Sequence, residues 1–238
     1  MSPKLILEQA VRKRLKVISI TDHNTVQHSV LACQLSKDLP IKVIPGVELT
    51  TREEVHLLAY FPDIAALLKI EKEIDHYLAK QKNNSQLFGD QIFYNLKDEI
   101  VGIDDVLRQV ALNIGLDNLV NIIHWIGGIA IPAHIDKNRF SLLSQLGFLD
   151  QEANFDAVEV SKYKWHKDNF KLGDKLEGFP VISGSDSHSI EDIGLFYIED
   201  TNEEIKDFFT LNNFLKFTKR KASEFSASFF RNSTIFSL

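Results

Sequence analysis

Six residues with metal-binding side chains fall at or near the ends of predicted strands. They are four histidines, one glutamate and one aspartate, namely His23, Glu48, His56, His134, Asp186 and His188. Imidazoles combined with carboxylates favour Zn, Mn or Fe over Mg alone. A carboxylate such as Glu48 is suited to bridge two cations, and two cations roughly 3.5–4 Å apart can stabilise both oxygens of a phosphoryl displacement. The set therefore predicts a two-metal centre.

The most distinctive local signal is Asp186-Ser187-His188, which follows the apolar pair Val181-Ile182. An Asp-x-His spacing just beyond a strand puts two ligands on the same side of the chain. The small residues between strand and motif let the backbone approach a bound group closely. Taken singly, each candidate has an ordinary structural explanation. Agreement among five strand ends favours the metal site.

These side chains need a fold that brings strand ends together. Apolar runs predict strands at 16–21, 41–44, 55–61, 129–132, 155–160 and 179–183, and amphipathic segments predict helices at 3–14, 26–35, 64–81, 103–110, 116–125, 141–146 and 168–176. Strands that alternate with helices indicate a parallel α/β sheet or barrel, in which reactive residues gather at the carboxyl ends of the strands. His56 lies near the start of its strand, so the direction of that strand or a bulge must bring it to the site.

The domain organisation follows from where this alternation breaks. We predict an α/β barrel domain over residues 1–198, interrupted by a helical insertion at 63–126, and a helical extension at 199–238. The insertion is expected to shape the substrate entrance.

Composition excludes several classes of protein. The formal charge is −6, and proteins that bind long nucleic acid usually have a basic surface. Stable binding of long nucleic acid is therefore predicted to be unlikely. No apolar run approaches the roughly 20 residues that span a bilayer, so no membrane partner is expected. The single cysteine, Cys33, excludes an intrachain disulfide and favours the cytoplasm. The composition does not indicate an oligomeric state.

The remaining reactive residues are predicted to be structural. Four histidines, His28, His76, His124 and His166, lie in polar or helical contexts without partner motifs. Cys33 falls inside a predicted helix and is read as a buried thiol. P-loop, G-x-G-x-x-G and G-x-S-x-G patterns are absent from the sequence.

Five motifs in this order resemble the PHP (polymerase and histidinol phosphatase) family. They are Ile20-Thr21-Asp22-His23-Asn24, Pro45-Gly46-Val47-Glu48, the His56 strand, Ile131-Pro132-Ala133-His134 and Gly184-Ser185-Asp186-Ser187-His188. The resemblance implies a distorted seven-stranded β/α barrel, a site with two or three ions of Mn, Zn or Fe, and phosphoesterase activity. It also implies that the six residues named first are metal ligands.

One family motif is missing. Members of the family open with a strand that carries His-x-His, and this sequence contains no His-x-His. A fragment or misassigned start, a natural truncation, and a strand supplied by a partner chain are the three explanations. The missing motif predicts that the chain as written has low phosphatase activity and retains fewer metal ions than a complete relative.

The resulting functional prediction is hydrolysis of a phosphorylated small molecule or nucleotide. His134 or Asp22 would relay protons, and Arg139 and Lys162 would neutralise the substrate phosphate. One alternative is a metal hydrolase that cleaves C–N bonds, as amidohydrolases do. Another is a non-catalytic module of the same fold. A nuclease role is disfavoured at this level by the acidic charge.

Overall fold

The strands that carry the candidate ligands lie side by side at the centre of a mixed α/β fold. The computed structural model describes residues 1–150, 152–161, 176, 179–199 and 234–235. Its strands are β1 (Val17–Ile18), β2 (Lys42–Val43), β3 (Gly46–Thr50), β4 (His56–Tyr60), β5 (Ile92–Tyr94), β6 (Ile100–Ile103), β7 (Ile129–Pro132), β8 (Val158–Glu159), β9 (Val181–Ile182), β10 (Ile198–Glu199) and β11 (Thr234–Ile235).

Helices connect most of these strands. They are α1 (Pro3–Arg12), α2 (Gln27–Leu35), α3 (Ile64–Ile74), α4 (Ser85–Phe88), α5 (Leu116–Trp125) and α6 (Leu142–Leu146), with short 3₁₀ turns at Ser36–Asp38 and Ile190–Asp192. Within the described ranges, none of these helices has the length and apolar character required to cross a membrane.

Helix α1 illustrates how the sequence sets local structure. The hydroxyl of Ser2 accepts a hydrogen bond from the backbone N–H of Leu5 at 3.4 Å, and Pro3 occupies the first helical position, as predicted. The helix ends at Arg12, two residues earlier than expected. Arg14 has a φ of 62°, a left-handed conformation that cannot continue a right-handed helix.

The sheet topology differs from the parallel arrangement predicted from the sequence. β1 pairs with β2 and β8 with β9 in parallel, but β4 is antiparallel to both of its neighbours, β3 and β7. His56 therefore lies opposite Thr50, the last residue of β3, and Leu57 lies opposite Pro132, the last residue of β7. The reversed direction of β4 is what brings its first residue to the carboxyl ends of its neighbours.

Backbone hydrogen bonds link the small sheets to one another. Asn24 N–H donates to Glu48 O at 2.9 Å, which joins the end of β1 to β3, and Ile135 N–H donates to Glu159 O at 2.8 Å, which joins β7 to β8. The side-by-side order is thus β1, then β2 and β3, then β4, β7, β8 and β9. Among the described residues no sheet closes, so the seven-stranded barrel is not seen.

Most of the core lies between this strand layer and the helices. Helix α3 buries Leu67, Ile70 and Ile74 against it, and α5 buries Leu119 and Ile123. Burial of each large aliphatic side chain contributes roughly 1.5–3 kcal/mol, which fixes these helices against the strands that carry the candidate ligands.

The insertion is not purely helical. The helix predicted at 64–81 ends at Ile74, and the segment predicted as helical at 103–110 instead follows an antiparallel hairpin formed by β5 and β6. Ile100, Val101 and Ile103 of β6 are β-branched, which favours a strand. The predicted helix at 168–175 and nearly all of the predicted extension at 199–238 lie outside the described residues; β10 and β11 pair in antiparallel fashion.

Candidate metal centre

Three of the six predicted ligands form a compact group. His23, Glu48 and His56 each offer one ligand atom, and these atoms lie within 4.8 Å of one another. The Oε1 atom of Glu48 is 3.0 Å from Nδ1 of His56, and its Oε2 atom is 3.8 Å from Nδ1 of His23. Two imidazoles around one carboxylate are a suitable donor set for a transition metal ion.

The backbone presents these groups from three adjacent strands. His23 follows β1 and forms an isolated parallel bridge with Glu48, which lies in the middle of β3. His56 opens β4, and its imidazole stacks on the ring of Phe140 with a centroid separation of 5.0 Å and an interplanar angle of 8°. The stacked ring limits the orientations that the His56 imidazole can adopt.

His134 joins the group from the end of β7. Its Nε2 atom lies 3.3 Å from Nδ1 of His56 and 3.5 Å from Oε1 of Glu48. The residue is buried and has a φ of 31°, which is uncommon for a residue other than glycine. Strained backbone of this kind concentrates at functional sites.

Two buried ring nitrogens in this group have no hydrogen-bond partner among the described residues. They are Nδ1 of His23 and Nδ1 of His134. Nearly all buried polar atoms in folded proteins are paired, because an unpaired one costs about 1–3 kcal/mol. Unpaired imidazole nitrogens beside a buried carboxylate fit a site that holds a metal ion.

The electrostatics of the group keep Glu48 ionised. Burial alone would raise the pKa of Glu48, but hydrogen bonds from His134 and His56 and the nearby His23 hold it well below its ordinary value. Burial lowers the pKa of His23. Burial also opposes protonation of His134, yet the hydrogen bond and charge of Glu48 raise its pKa overall. The result is a buried anion that accepts from imidazoles.

Asp186 and His188 lie at the same cavity but make different contacts. Asp186 has a φ of 46°, and its carboxylate forms an ion pair with Lys137. Burial would raise the pKa of Asp186, but the hydrogen bond and charge of Lys137 lower it. The side chain of His188 is 79 % exposed, with Nδ1 at 3.1 Å from the carbonyl oxygen of Asp186.

Asp22, the predicted proton-handling residue, is paired with a histidine that the sequence assigned to a structural role. Nδ1 of His28 lies 2.6 Å from Oδ2 of Asp22, and Nε2 of His28 lies 2.9 Å from the carbonyl oxygen of Ile92. Burial disfavours the charged form of His28, but the hydrogen bond and charge of Asp22 raise its pKa overall. His28 belongs to the first turn of α2, and nothing in its local sequence points to Asp22.

Glu159 is a further buried carboxyl group that the sequence analysis did not select. Its Oε2 atom accepts a hydrogen bond from the backbone N–H of His134 at 3.0 Å, and burial raises its pKa to about 7. Glu159 ends β8, so the strand-end rule that selected His134 applies to it as well. Lys137, three residues after His134, has no comparable sequence signal.

Asn24 connects the end of β1 to β3 and to the segment around Arg108 through side-chain hydrogen bonds. It is fully buried with a φ of 49°, and its side-chain amide donates to the carbonyl oxygens of Arg108 and Val110 at 2.8 and 2.7 Å. Its side-chain oxygen accepts from the N–H of Thr50 at 3.1 Å. One side chain thus ties the residue after His23 both to β3 and to the insertion.

A cavity of about 350 Å³ opens beside the candidate centre. His23, Glu48 and Asp186 contribute to its lining, and the insertion contributes the β5 strand and Arg108. Arg108 donates from Nε to Asp104 Oδ2 at 2.6 Å, so its guanidinium is held in place. Residues of the 63–126 segment thus form part of this cavity, and the role of the segment in shaping a substrate entrance stays a prediction.

Of the two predicted phosphate-binding residues, only Arg139 can be placed. It is exposed and does not contribute to the cavity lining. Lys162 lies outside the described residues.

No family model matches this chain. A protein from Methanocaldococcus jannaschii that is described as uncharacterized is 36 % identical over 74 residues, which is 31 % of this chain and 43 % of that protein. The chain therefore spans less than half of the length of that relative.

Solved structures share the fold. Endonuclease Q from Pyrococcus furiosus, described as lesion-specific, matches with a TM-score of 0.58 and 18 % identity over 86 % of this chain and 49 % of its own. A protein from Bifidobacterium adolescentis, inferred to be a metal-dependent phosphoesterase, matches with a TM-score of 0.53 and 16 % identity over 81 % of this chain and 83 % of its own. An amidohydrolase from Chromobacterium violaceum matches with a TM-score of 0.54 and 19 % identity over 92 % of both chains. At these levels of identity the matches show that the chain shares the fold of these proteins.

The prediction that stable binding of long nucleic acid is unlikely is wrong, because it relied on net charge alone. A structure of Endonuclease Q in complex with a 27-mer duplex, with an abasic lesion at the active site, matches this chain with a TM-score of 0.58 and 16 % identity over 92 % of its length and 52 % of the other. A fold of this type thus accommodates duplex DNA. The net charge of −6 sums over the whole surface and does not describe the surface around one cavity.

Proposed function

We propose that this chain is a metal-dependent phosphoesterase. The observation that carries the proposal is the buried Glu48 carboxylate, which faces three imidazoles, two of them with an unpaired buried nitrogen. His23, Glu48, His56 and His134 would hold one divalent ion, and Asp186 and His188, which line the same cavity, would contribute to a second. The proposal includes two or three ions of Mn, Zn or Fe, since imidazole ligands favour these.

Metal ions bound here would lower the pKa of a bound water and offset charge on a phosphate group. The chain itself supplies the surrounding groups. Asp22 and His28 form a hydrogen-bonded pair, so a proton taken up by this pair lies between Oδ2 of Asp22 and Nδ1 of His28. Glu159 fixes the backbone N–H of His134 and thereby the position of its imidazole.

Two cations near the candidate centre would interact with substrate phosphate. Arg108 lines the cavity, and Lys137 forms an ion pair with Asp186, which also lines it. Arg108 is anchored through Nε and also donates from Nη1 to Asn24 O at 3.4 Å. A guanidinium fixed in this way loses little conformational freedom when it binds a phosphate oxygen. Arg139 and Lys162 stay predictions for this role.

The substrate class in this proposal covers phosphomonoesters and the phosphodiesters of nucleic acid. The match to Endonuclease Q supports the second, although the chain corresponds to only about half of that protein. The same proposal includes the distorted barrel of PHP type. The side-by-side order of strands from β1 to β9 supports it. The domain limits at 198 and 63–126 stay predictions, as does the cytoplasmic location.

Hydrolysis of C–N bonds is the alternative that shares most of this chemistry, and the match to an amidohydrolase favours it. The test is to reconstitute the full chain separately with Mn, Zn and Fe and to assay phosphomonoesters, phosphodiesters and cyclic amides. We expect phosphate release that depends on added metal. Activity on the amides alone would replace the proposal with the alternative, and a lack of activity on every substrate would favour the non-catalytic module. The number of metal ions bound per chain in the same preparations, compared with that of a relative that contains His-x-His, tests the predicted loss of metal ions.

A further inference from the structure

One wall of the cavity beside the candidate centre is aromatic. Phe93 and Tyr94 of β5 and Phe88 at the end of α4 line the same space as His23 and Glu48. Phe93 and Tyr94 are half-buried, and Phe88 is 46 % exposed. An aromatic wall beside charged and polar ligands is unexpected for a site that would bind only phosphate and water.

Tyr94 is close to the groups proposed for catalysis. Its ring centroid lies 5.8 Å from that of His28, which also contacts the Asp22 carboxylate next to His23. The Tyr94 ring therefore borders the reactive end of the cavity. Phe93 lies opposite Gly102 on β6, which has no side chain to cover the ring, and it extends the lining along the hairpin.

Core packing does not account for these rings. Phe88, Phe93 and Tyr94 belong to none of the hydrophobic clusters formed by the described residues. The hairpin of β5 and β6 has only two strands and is itself marginal without further support. Aromatic side chains on such an element are available to contact a ligand.

We infer that this wall, formed by Phe93 and Tyr94 with Phe88 at its margin, binds the nucleobase of a nucleotide substrate. Bases stack on aromatic side chains with little dependence on sequence, because every base presents a π-face. The cavity volume of about 350 Å³ falls at the lower end of the range for small-ligand sites, roughly 300–1,000 Å³, and suits a single nucleotide unit. This inference rests on the proposed phosphoesterase function and names its substrate class.

The base could belong to a free nucleotide or to a single-stranded end of a polynucleotide, and the stacking chemistry is the same. The experiment compares kcat/KM of the metal-reconstituted full chain for nucleoside 5′-monophosphates, for a short single-stranded oligonucleotide and for glycerol phosphate, which has no base. Preference for the monophosphates assigns the wall to free nucleotides, and preference for the oligonucleotide assigns it to a polynucleotide.

Variants of the wall provide the decisive comparison. We expect Phe93→Ala and Tyr94→Leu each to reduce kcat/KM for the preferred nucleotide substrate about tenfold, and glycerol phosphate hydrolysis to stay within about twofold. Tyr94→Phe keeps the ring and should retain the preference. Leu96→Ala is the matched control, because Leu96 is on the same hairpin, 58 % exposed and outside the cavity lining.

Equal loss on nucleotide and base-free esters, or no loss on either, would overturn the inference while leaving the phosphoesterase proposal intact. If the wild-type protein hydrolyses none of these esters, the phosphoesterase proposal fails, and calorimetric binding of nucleoside monophosphate against glycerol phosphate decides the inference separately. If circular dichroism shows that Phe93→Ala does not fold, the comparison is made between Tyr94→Leu and Tyr94→Phe.

Discussion

His28 Nδ1 lies 2.6 Å from Asp22 Oδ2, and the opposite nitrogen of the same imidazole lies 2.9 Å from the carbonyl oxygen of Ile92. One side chain thus connects the residue before His23 to the hairpin of the insertion. The insertion is thereby attached to the candidate metal centre. His28, which the sequence analysis assigned to a structural role, thus lines the cavity.

The contact between His28 and Asp22 predicts a pH-dependent contribution to stability. The pKa of His28 is raised in the folded protein above the ordinary histidine value of 6.5, so the contribution is complete below that value and is lost as pH rises through the folded pKa. We expect His28→Gln to lower the free energy of unfolding by about 0.5–1 kcal/mol at pH 5.5, since Asp22 is two-fifths exposed and partly screened. Urea unfolding of metal-free protein at pH 5.5 and pH 9 measures this difference.

His76→Gln is the control, because His76 is exposed. Its effect on unfolding should be small at both pH values. A difference between wild type and His28→Gln that grows with rising pH would contradict the assigned direction of the pKa shift.

Glu48→Gln tests the candidate centre directly. The substitution keeps the size of the side chain and removes the negative charge that faces three imidazoles. We expect metal affinity and hydrolysis to fall about 100-fold or more, because loss of even an outer partner of a metal ligand commonly costs about 10–100-fold. Calorimetric titration with Mn and Zn gives the affinity, and Glu8→Gln, at an exposed position of α1, is the matched control. Unchanged metal content in Glu48→Gln would exclude this residue as a ligand.

Asn24→Ala is expected to destabilise the fold by roughly 2–4 kcal/mol. The change leaves the carbonyl oxygens of Arg108 and Val110 and the N–H of Thr50 without a side-chain partner in a buried site. Asn24→Gly loses the same bonds but tolerates the φ of 49°, so it should be about 1 kcal/mol less destabilised than Asn24→Ala.

Chemical denaturation measures both Asn24 variants. Asn118→Ala, at an exposed position of α5, is the control and should change stability by less than about 0.5 kcal/mol. Equal stability of Asn24→Ala and wild type would mean that water replaces the three hydrogen bonds.

Lys137 and Arg139 are two residues apart and form a matched pair for the phosphate-binding role. Neither residue contributes to the cavity lining, but Lys137 forms an ion pair with Asp186, which does, whereas Arg139 is exposed. We expect Lys137→Ala to raise KM for a phosphoester about tenfold and Arg139→Ala to change it less than about twofold. Steady-state kinetics of the two variants side by side decide between the residue that the sequence favoured and the one that the structure favours.

The sequence by itself selected the candidate ligands from their residue types and positions, and the structure brings His23, Glu48 and His56 within 4.8 Å of one another. His23, Glu48 and His134 follow or lie in apolar strands, and strand ends in α/β folds converge. The cap of α1 by Ser2 and Pro3 was likewise predictable, because capping depends on neighbouring residues only. Glu159 was within reach of the same strand-end rule.

The tertiary structure alone decided the rest. The direction of β4, which carries His56 to the site, depends on hydrogen bonds to β3 and β7, and residues 56–60 contain no signal for it. The contacts of His28 with Asp22 and of Lys137 with Asp186 join residues that are 6 and 49 positions apart. Contacts at a distance arise from packing, which local sequence patterns do not encode. The sequence therefore supplied the candidate ligands, and the tertiary structure determined which residues lie beside them.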